Sequence, residues 1–369
     1  MPSVSPEVRG FLLGDFEKLM AKAFDLAEKG LGYTSPNPAV GAILLKNGRI
    51  VASGYHRRAG LPHAEIEVIK KAAKNARGAI LITTLEPCSH HGKTPPCVDA
   101  IIAAGIKKVV GAITDRNPEV SGRGYRKLRR AGIEVVNGVL RKRAQRFYEP
   151  YFKFITTGIP FVTLKFAQSI NGRIATRSGN SHWISSPESL KLSHKVRAVT
   201  DAVLIGNQTL KADNPELTTR LARGPNPIRI LLSASGKVTR RRMIFTDRAA
   251  PTYIATATKS NVKQDRDFKI IRVKKLKSGL DLEDLLSKLG KMGVVTLLVE
   301  GGSQVLTSFI KQKIGDRMIV FIAPIIIGDG ISAIGDLGVA TVENSIALSE
   351  MEWFKSGPDL FISGRPIWR

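Results

Sequence analysis

The sequence predicts two consecutive domains of layered α/β architecture. Three observations lead there. At 369 residues the chain exceeds the length over which one hydrophobic core keeps growing. Apolar runs of strand length alternate with segments of helical period along its whole length, as in sheets covered by helices. The composition, 43% hydrophobic and 24% charged, suits packed cores rather than a disordered chain. A boundary is expected at residue 149, giving domains 1–149 and 150–369.

The elements of the first half follow in order. Phe16, Leu19, Met20, Ala23, Phe24 and Ala27 recur at helical spacing and stop at Gly30, so an amphipathic helix is predicted over 15–29. A proline-rich turn at 35–41 enters an apolar strand at 42–46, and Asn47-Gly48 turns it into a second strand at 49–55. That dipeptide is a hairpin signal. A helix is expected from His63 to about residue 74, after Pro62. The apolar strand 79–85 delivers Cys88, Cys97 opens a helix at 98–104, and 109–114 returns as a strand. A helix at 125–131 and a strand at 134–137 complete the domain, and the aromatic, glycine-containing stretch 147–158 reads as a connector.

The second half begins with a strand at 161–167 carrying Lys165, then a polar run at 176–182. A helix at 186–196 has Pro187 in its first turn, where proline is favoured. A buried strand at 202–206 leads into the polar segment 206–220. Strands at 228–232, 252–255 and 270–273, a helix at 282–289 and a strand at 294–299 follow. That last strand runs into Glu300-Gly301-Gly302-Ser303 and a helix at 304–311. Glycines between a strand and a helix start let backbone amides approach a pyrophosphate. The pattern is not Gly-x-Gly-x-x-Gly, so the standard dinucleotide fingerprint is absent and an ordinary tight turn is the competing reading. A strand and glycine turn at 323–330 and an edge strand at 360–363 close the chain.

Chemistry concentrates in His63-Ala-Glu65 and Glu86-Pro-Cys88-Ser-His-His-Gly-Lys-Thr-Pro-Pro-Cys97. One imidazole and two thiols can hold zinc through three protein ligands, which leaves the fourth tetrahedral position open for reaction. Glu65 lies two residues beyond the histidine, the general acid/base placement of zinc nucleobase deaminases. Zinc brings the pKa of water to about 7, and Glu65 would move its proton to a ring nitrogen and then to leaving ammonia. Two other readings stand beside this one. His90 or His91 could close a structural zinc shell, or the only two cysteines could pair in a disulfide.

The formal net charge of +26 is spread along the chain, with short clusters at 126–130, 141–146 and 240–242. Without a basic tail or aromatic-interleaved stripe, it reads as a solvated surface that attracts phosphorylated small molecules rather than as a nucleic-acid interface. No apolar run reaches the roughly 20 residues needed to span a bilayer, and no signal-peptide pattern opens the chain. A cytoplasmic, membrane-free protein is therefore expected.

Pro36-Asn-Pro-Ala-Val-Gly41, Gly54-Tyr-His56, Gly60-Leu-Pro-His-Ala-Glu65, Thr84-Leu-Glu-Pro-Cys through Cys97, Asp115-Arg-Asn-Pro118 and Gly122-Arg-Gly124 resemble the bifunctional riboflavin-biosynthesis pyrimidine deaminase/reductases. The eight-residue insert between the cysteines is typical of that branch, whereas cytidine and tRNA adenosine deaminases space them by two. The resemblance implies a cytidine-deaminase-like α/β/α domain followed by a dihydrofolate-reductase-like α/β domain. The first would deaminate a phosphoribosylamino-pyrimidine with Zn2+, with Asn37 and His56 beside the substrate ring. The second would reduce the ribosyl chain to ribityl with NADPH.

Carried over residue by residue, the resemblance implies Lys165 at the reacting carbon and Ser181, Arg197, Arg220 and Glu300 at the substrate. It implies Ala167, Trp183, Thr209, Asp213, Gly301, Gly302, Ser303, Gln304, Val305 and Leu306 at the cofactor, and a homodimer through the reductase half. Two departures stand out. Ser169-Ile-Asn171-Gly172 has Asn where the family usually has Asp, and Ser233-Ala234 replaces Asp-Ser. An active deaminase with an inert reductase, a nucleic-acid deaminase and a non-catalytic zinc protein are the rival readings.

Overall fold

The computed structural model describes residues 13–90, 95–182, 184–277 and 279–368. The chain divides into two compact units, one ending at Gly158 and the other beginning at Ile159.

The first unit runs α1 (Leu13–Ala27), β1 (Gly41–Lys46), β2 (Arg49–Tyr55), α2 (Ala64–Ala72), β3 (Ile80–Thr83), α3 (Cys97–Ala103), β4 (Lys108–Gly111), α4 (Arg123–Arg130), β5 (Glu134–Asn137), α5 (Arg141–Phe147) and α6 (Glu149–Thr157). Its sheet has the order β2-β1-β3-β4-β5. β1 is antiparallel to β2 and β3, while β3, β4 and β5 are parallel. Asn47 and Gly48 take φ of 49° and 77°, the double positive φ that a two-residue hairpin demands. Met20, Phe24, Ile43, Leu44, Leu81, Ile82 and Ile101 are buried in one core.

The stretch 147–158 is helical rather than a connector. Tyr148, Tyr151 and Phe152 sit at i, i+3 and i+4 and bury against the first core. The Tyr148 hydroxyl donates to the Ala39 carbonyl at 3.0 Å and lies 2.6 Å from Thr84 Oγ1. Pro150 falls in the first turn of α6, where its missing N–H costs nothing. Burying three aromatics offsets what looked, in the sequence alone, like linker composition.

The second unit runs β6 (Phe161–Ser169), β7 (Arg173–Thr176), α7 (Pro187–Ala198), β8 (Ala202–Gly206), α8 (Asn207–Asp213), β9 (Ile228–Leu232), α9 (Met243–Thr246), β10 (Thr252–Ala257) and β11 (Lys269–Val273). It continues with β12 (Lys275–Leu276), β13 (Gly279–Leu280), α10 (Leu282–Lys291), β14 (Thr296–Val299), α11 (Ser303–Lys311), β15 (Arg317–Ala323), β16 (Gly330–Ser332), β17 (Ala347–Ser356) and β18 (Asp359–Ile367). The nine-stranded sheet has the order β11-β10-β9-β8-β14-β6-β15-β18-β17. Strands from β11 to β15 are parallel, and β18 and β17 add antiparallel.

Two expectations fail here. The strand expected at 323–330 lies at Arg317–Ala323 instead; Pro324 offers no N–H to a ladder and ends it. Residues 360–363 are interior to β18, because β17 forms the true edge. Its mix of acidic, basic and apolar side chains hid it. The polar segment after residue 206 opens with α8. β8, β14 and β6 are parallel neighbours, so their carboxyl ends lie along one edge of the sheet, the edge at which open α/β sheets bind ligands.

Candidate active sites

In the first unit, helix starts and a strand end converge. His63 is the N-cap of α2 and Glu65 lies in its first turn. Cys97 begins α3, and Cys88 lies on the segment leaving β3. Helix N-termini favour a negative thiolate nearby. His63 Nδ1 is 3.2 Å from Cys97 Sγ and 3.6 Å from Cys88 Sγ, and all three donor atoms lie within 4.8 Å of one another. Tetrahedral zinc with bonds of about 2.0–2.3 Å needs donors about 3.3–3.8 Å apart. The three residues therefore fit a zinc ion. Both cysteines are free thiols. His90 turns its Nε2 towards Glu119 at 3.7 Å and does not join the cluster; His91 lies outside the described residues.

Electrostatics suit proton transfer. Burial pushes the Glu65 carboxyl up to about 7, against the opposing pull of His63. Its Oε2 is 3.7 Å from Cys97 Sγ. The hydrogen bond to Cys97 leads in lowering the Cys88 thiol to about 4, while the Cys97 thiol is pushed up by the same bond and by burial. The hydrogen bond to Cys88 leads in raising His63. Burial lowers His56. Its Nδ1 donates to the Pro62 carbonyl at 3.0 Å, its Nε2 is buried without a partner, and its ring centroid is 5.1 Å from that of His63. The His56 amide donates to Val40 O, which brings the turn bearing Asn37 alongside.

In the second unit, Lys165 on β6, Arg197 on α7 and Glu300 beyond β14 form a buried trio. Arg197 Nε and Nη2 each donate to Glu300 at 3.0 Å, and Nη1 donates to Thr218 O at 2.6 Å. Three of its five N–H groups are thus committed within the protein. The guanidinium acts first as the anchor of Glu300. Lys165 Nζ lies 4.0 Å from Glu300 Oε2 and 5.4 Å from the Phe321 ring centroid. Burial lowers the Lys165 ammonium, and Glu300 opposes that shift.

Burial alone would raise the Glu300 carboxyl, but Arg197 and Lys165 outweigh it and hold it at about 2, against an ordinary 4.5. The unfolded chain therefore takes up this proton first. The pairing contributes fully above about 4.5 and is lost as pH falls through that value towards 2. Urea unfolding of the second unit should lose roughly 1–3 kcal/mol more between pH 5 and 3 in the parent than in Glu300→Gln. Equal slopes would refute the pairing.

Gly302 N donates to Thr209 Oγ1 at 3.0 Å, and Ser181 Oγ donates to Asp213 Oδ1 at 3.2 Å. Ser303 starts α11, whose N-terminus has no side-chain cap, so its first amides can meet the phosphates of NADPH. Gln304 is exposed, whereas Val305 and Leu306 are buried. A Cβ at Gly301 would sit 2.5 Å from Val305 Cβ, so Val305 shapes the turn from inside. Ala167 faces Phe321 across the β6–β15 ladder. Arg220 is half exposed, 3.6 Å from Glu216, and is available to an anion. Trp183 lies outside the described residues.

Both departures have local partners. The Asn171 amide donates to Ile327 O at 2.5 Å and accepts from Ile327 N at 3.1 Å, a reciprocal pairing with backbone that a carboxylate could not make. At the second departure, Ser233 Oγ donates to Lys237 O at 3.5 Å and Ala234 O accepts from Thr256 Oγ1 at 3.2 Å. Sequence reasoning missed His194, which is buried one turn before Arg197 and lowered to about 4 by burial and then by Arg197. Its i, i+3 spacing from Arg197 was the available signal.

Comparison with known proteins agrees with both halves. Residues 14–113 match the cytidine and deoxycytidylate deaminase zinc-binding region, and residues 160–362 match the RibD C-terminal domain. Riboflavin biosynthesis protein RibD of Aquifex aeolicus is 44% identical, over 93% of this chain and 96% of its own. The Escherichia coli protein is 36% identical, over 93% and 97%. A Thermotoga maritima diaminohydroxyphosphoribosylaminopyrimidine deaminase/5-amino-6-(5-phosphoribosylamino)uracil reductase superposes with a TM-score of 0.84 at 37% identity, covering 96% of this chain and 99% of that one. Acinetobacter baumannii RibD gives 0.86 at 30% identity, with the same coverage.

Proposed function

Since the chain belongs to the RibD family of bifunctional riboflavin-biosynthesis deaminase/reductases, we propose that its two reactions are divided between its two compact units. The enzyme deaminates 2,5-diamino-6-(5-phosphoribosylamino)pyrimidin-4-one hydrolytically and reduces the ribosyl chain of the product to ribityl, using Zn2+ and NADPH. The deaminase is assigned to 1–149 together with the helix that closes its core at residue 157, and the reductase to the remainder.

In the first reaction His63, Cys88 and Cys97 hold zinc, which supplies the Lewis acidity that makes water a nucleophile at neutral pH. Glu65 would take one proton from the attacking water and pass it to a ring nitrogen, then take the second from the hydroxyl now on the ring carbon and give it to the amine as the C–N bond breaks and ammonia leaves. Burial of the Glu65 carboxyl against the cluster keeps it close enough to the reacting groups to shuttle protons without being a ligand. His56 and Asn37 orient the ring. The observation that carries this reading is the buried Glu65 carboxyl lying against a three-donor cluster of the right size.

In the second reaction the bound NADPH would be the source of the hydride that the sugar carbonyl takes up. Lys165 polarises the carbonyl oxygen and protonates it, with Glu300 and Arg197 fixing its position and charge. Arg220 and Ser181 hold the phosphorylated chain. Thr209, Asp213 and the Gly301–Ser303 turn hold the cofactor through backbone amides and hydroxyls. A coupled assay on the phosphorylated diaminopyrimidine, following ammonia and NADPH absorbance together, tests the division; both signals from one chain are expected. Ammonia alone would confine activity to the first unit.

The basic surface suits a small anionic substrate, and no nucleic acid is assigned to it. Among the described residues no helix is long and apolar enough to cross a membrane, and two free thiols suit a reducing cytoplasm. A homodimer through the reductase half is supported by β17, the edge strand beyond β18, which exposes Met351 (52%) and Trp353 (71%); such edges invite pairing. Trp353→Lys should sediment as a monomer. A variant that stays dimeric would move the interface elsewhere.

A further inference from the structure

Three motifs noted in the sequence have no role in the chemistry above: Glu86 before Pro87-Cys88, Asp115 to Pro118, and Gly122-Arg-Gly124. The structure joins them into one device. Glu86 is buried at 3% exposure. Its Oε2 accepts from the amides of Asp115 at 3.1 Å and Gly122 at 2.9 Å, and its Oε1 accepts from Tyr125 at 3.1 Å. Its own amide donates to Ile113 O. One carboxylate thus gathers three amides of the 115–125 segment onto the residue two positions before a zinc ligand.

The seam is closed from the other side by glycine. A Cβ at Gly124 would lie 2.2 Å from Pro87 O and 3.1 Å from Glu86 Oε1, so only glycine lets α4 start against Pro87. Gly122 has a φ of 79°, which glycine adopts without strain. Beyond the seam, Cys88 O accepts from Val98 N and Cys88 Sγ accepts from Cys97 N at 3.3 Å. Cys88 is therefore fixed between the start of α3 on one side and the Glu86 clamp on the other.

We propose that Glu86 is a positioning residue of the deaminase centre, setting the place of the Cys88 thiolate by binding the 115–125 wall to the Pro87-Cys88 segment; this rests on reading the first unit as the zinc deaminase. Groups that orient metal ligands from behind typically contribute about 10- to 100-fold in metal affinity or activity. Gln at this position keeps the shape but turns an N–H towards amides that need an acceptor.

The test uses the full chain with Glu86→Gln and, separately, Gly124→Ala, which leaves the carboxylate in place and opens the same seam. Zinc affinity is read by competition with a chromophoric chelator. Cobalt(II) in place of zinc reports ligand geometry through its visible absorption, which a merely structural role would leave unmoved. Both variants should hold zinc about 10- to 100-fold more weakly and show an altered cobalt spectrum. Ammonia release should fall at limiting zinc, while NADPH oxidation on the deaminated substrate, supplied directly, stays at the parent rate. Parent-like zinc affinity and a parent-like cobalt spectrum in whichever variant folds would overturn the assignment. A parent that binds zinc yet releases no ammonia would sink the deaminase reading instead, and the zinc and cobalt measurements would still decide the role of Glu86.

Discussion

Glu65→Gln should release ammonia about 10²- to 10⁴-fold more slowly than the parent while retaining zinc. The carboxyl is 3% exposed, and burial raises it to about 7, so it can both accept and return a proton near neutrality. Gln fills the same volume and can still hydrogen-bond, but it cannot carry the proton. The three donor atoms belong to other side chains, so metal content should match the parent. Rates from single-turnover ammonia assays, paired with zinc content by atomic absorption, decide the matter. A variant within tenfold of the parent would remove Glu65 from the mechanism, and one that loses zinc would recast it as part of the metal's surroundings. Reduction of the deaminated substrate should be unchanged in the same sample.

Lys165→Met should abolish most NADPH oxidation, by about 10²- to 10⁴-fold, and leave ammonia release intact. Lys165 is the cation of the trio that is not locked into a fork. Its Nζ is 4.0 Å from Glu300, whereas Arg197 spends two N–H groups on that carboxylate. Removing Lys165 therefore keeps the Arg197–Glu300 pair, so the variant should fold. Removing Glu300 would strand two buried cations, a loss of roughly 3–5 kcal/mol. Stopped-flow absorbance on the deaminated substrate separates the cases. A normal hydride-transfer rate with weakened substrate binding would make Lys165 a binding group, and an unchanged rate would move the proton donor elsewhere.

Legibility differed between the two sites for a physical reason. The zinc site is built from residue types whose chemistry is specific and whose spacing is short. His63 and Glu65 share one helix turn, and Cys97 begins a helix that the proline pair before it announces. The reductase site draws Lys165, Arg197, Thr209 and Glu300 from four separate elements. Nothing local marks a lysine on an apolar strand as functional, and only the resemblance pointed to it.

Elements failed where tertiary contacts overrode local composition. Tyr148, Tyr151 and Phe152 read as linker until they met the core, and β17 is a strand through the ladder that β18 offers it. Apolar periodicity, turn dipeptides and metal-ligand spacing are carried by neighbours in the chain, so the sequence by itself determined two α/β units, a zinc deaminase centre and the residues expected to run it. Tertiary structure alone decided that Arg197 is tied to Glu300, that Asn171 pairs reciprocally with the backbone at Ile327, and that Glu86 joins three distant motifs. Each depends on hydrogen bonds between residues tens to more than a hundred positions apart, whose energies exist only once the fold has brought them together.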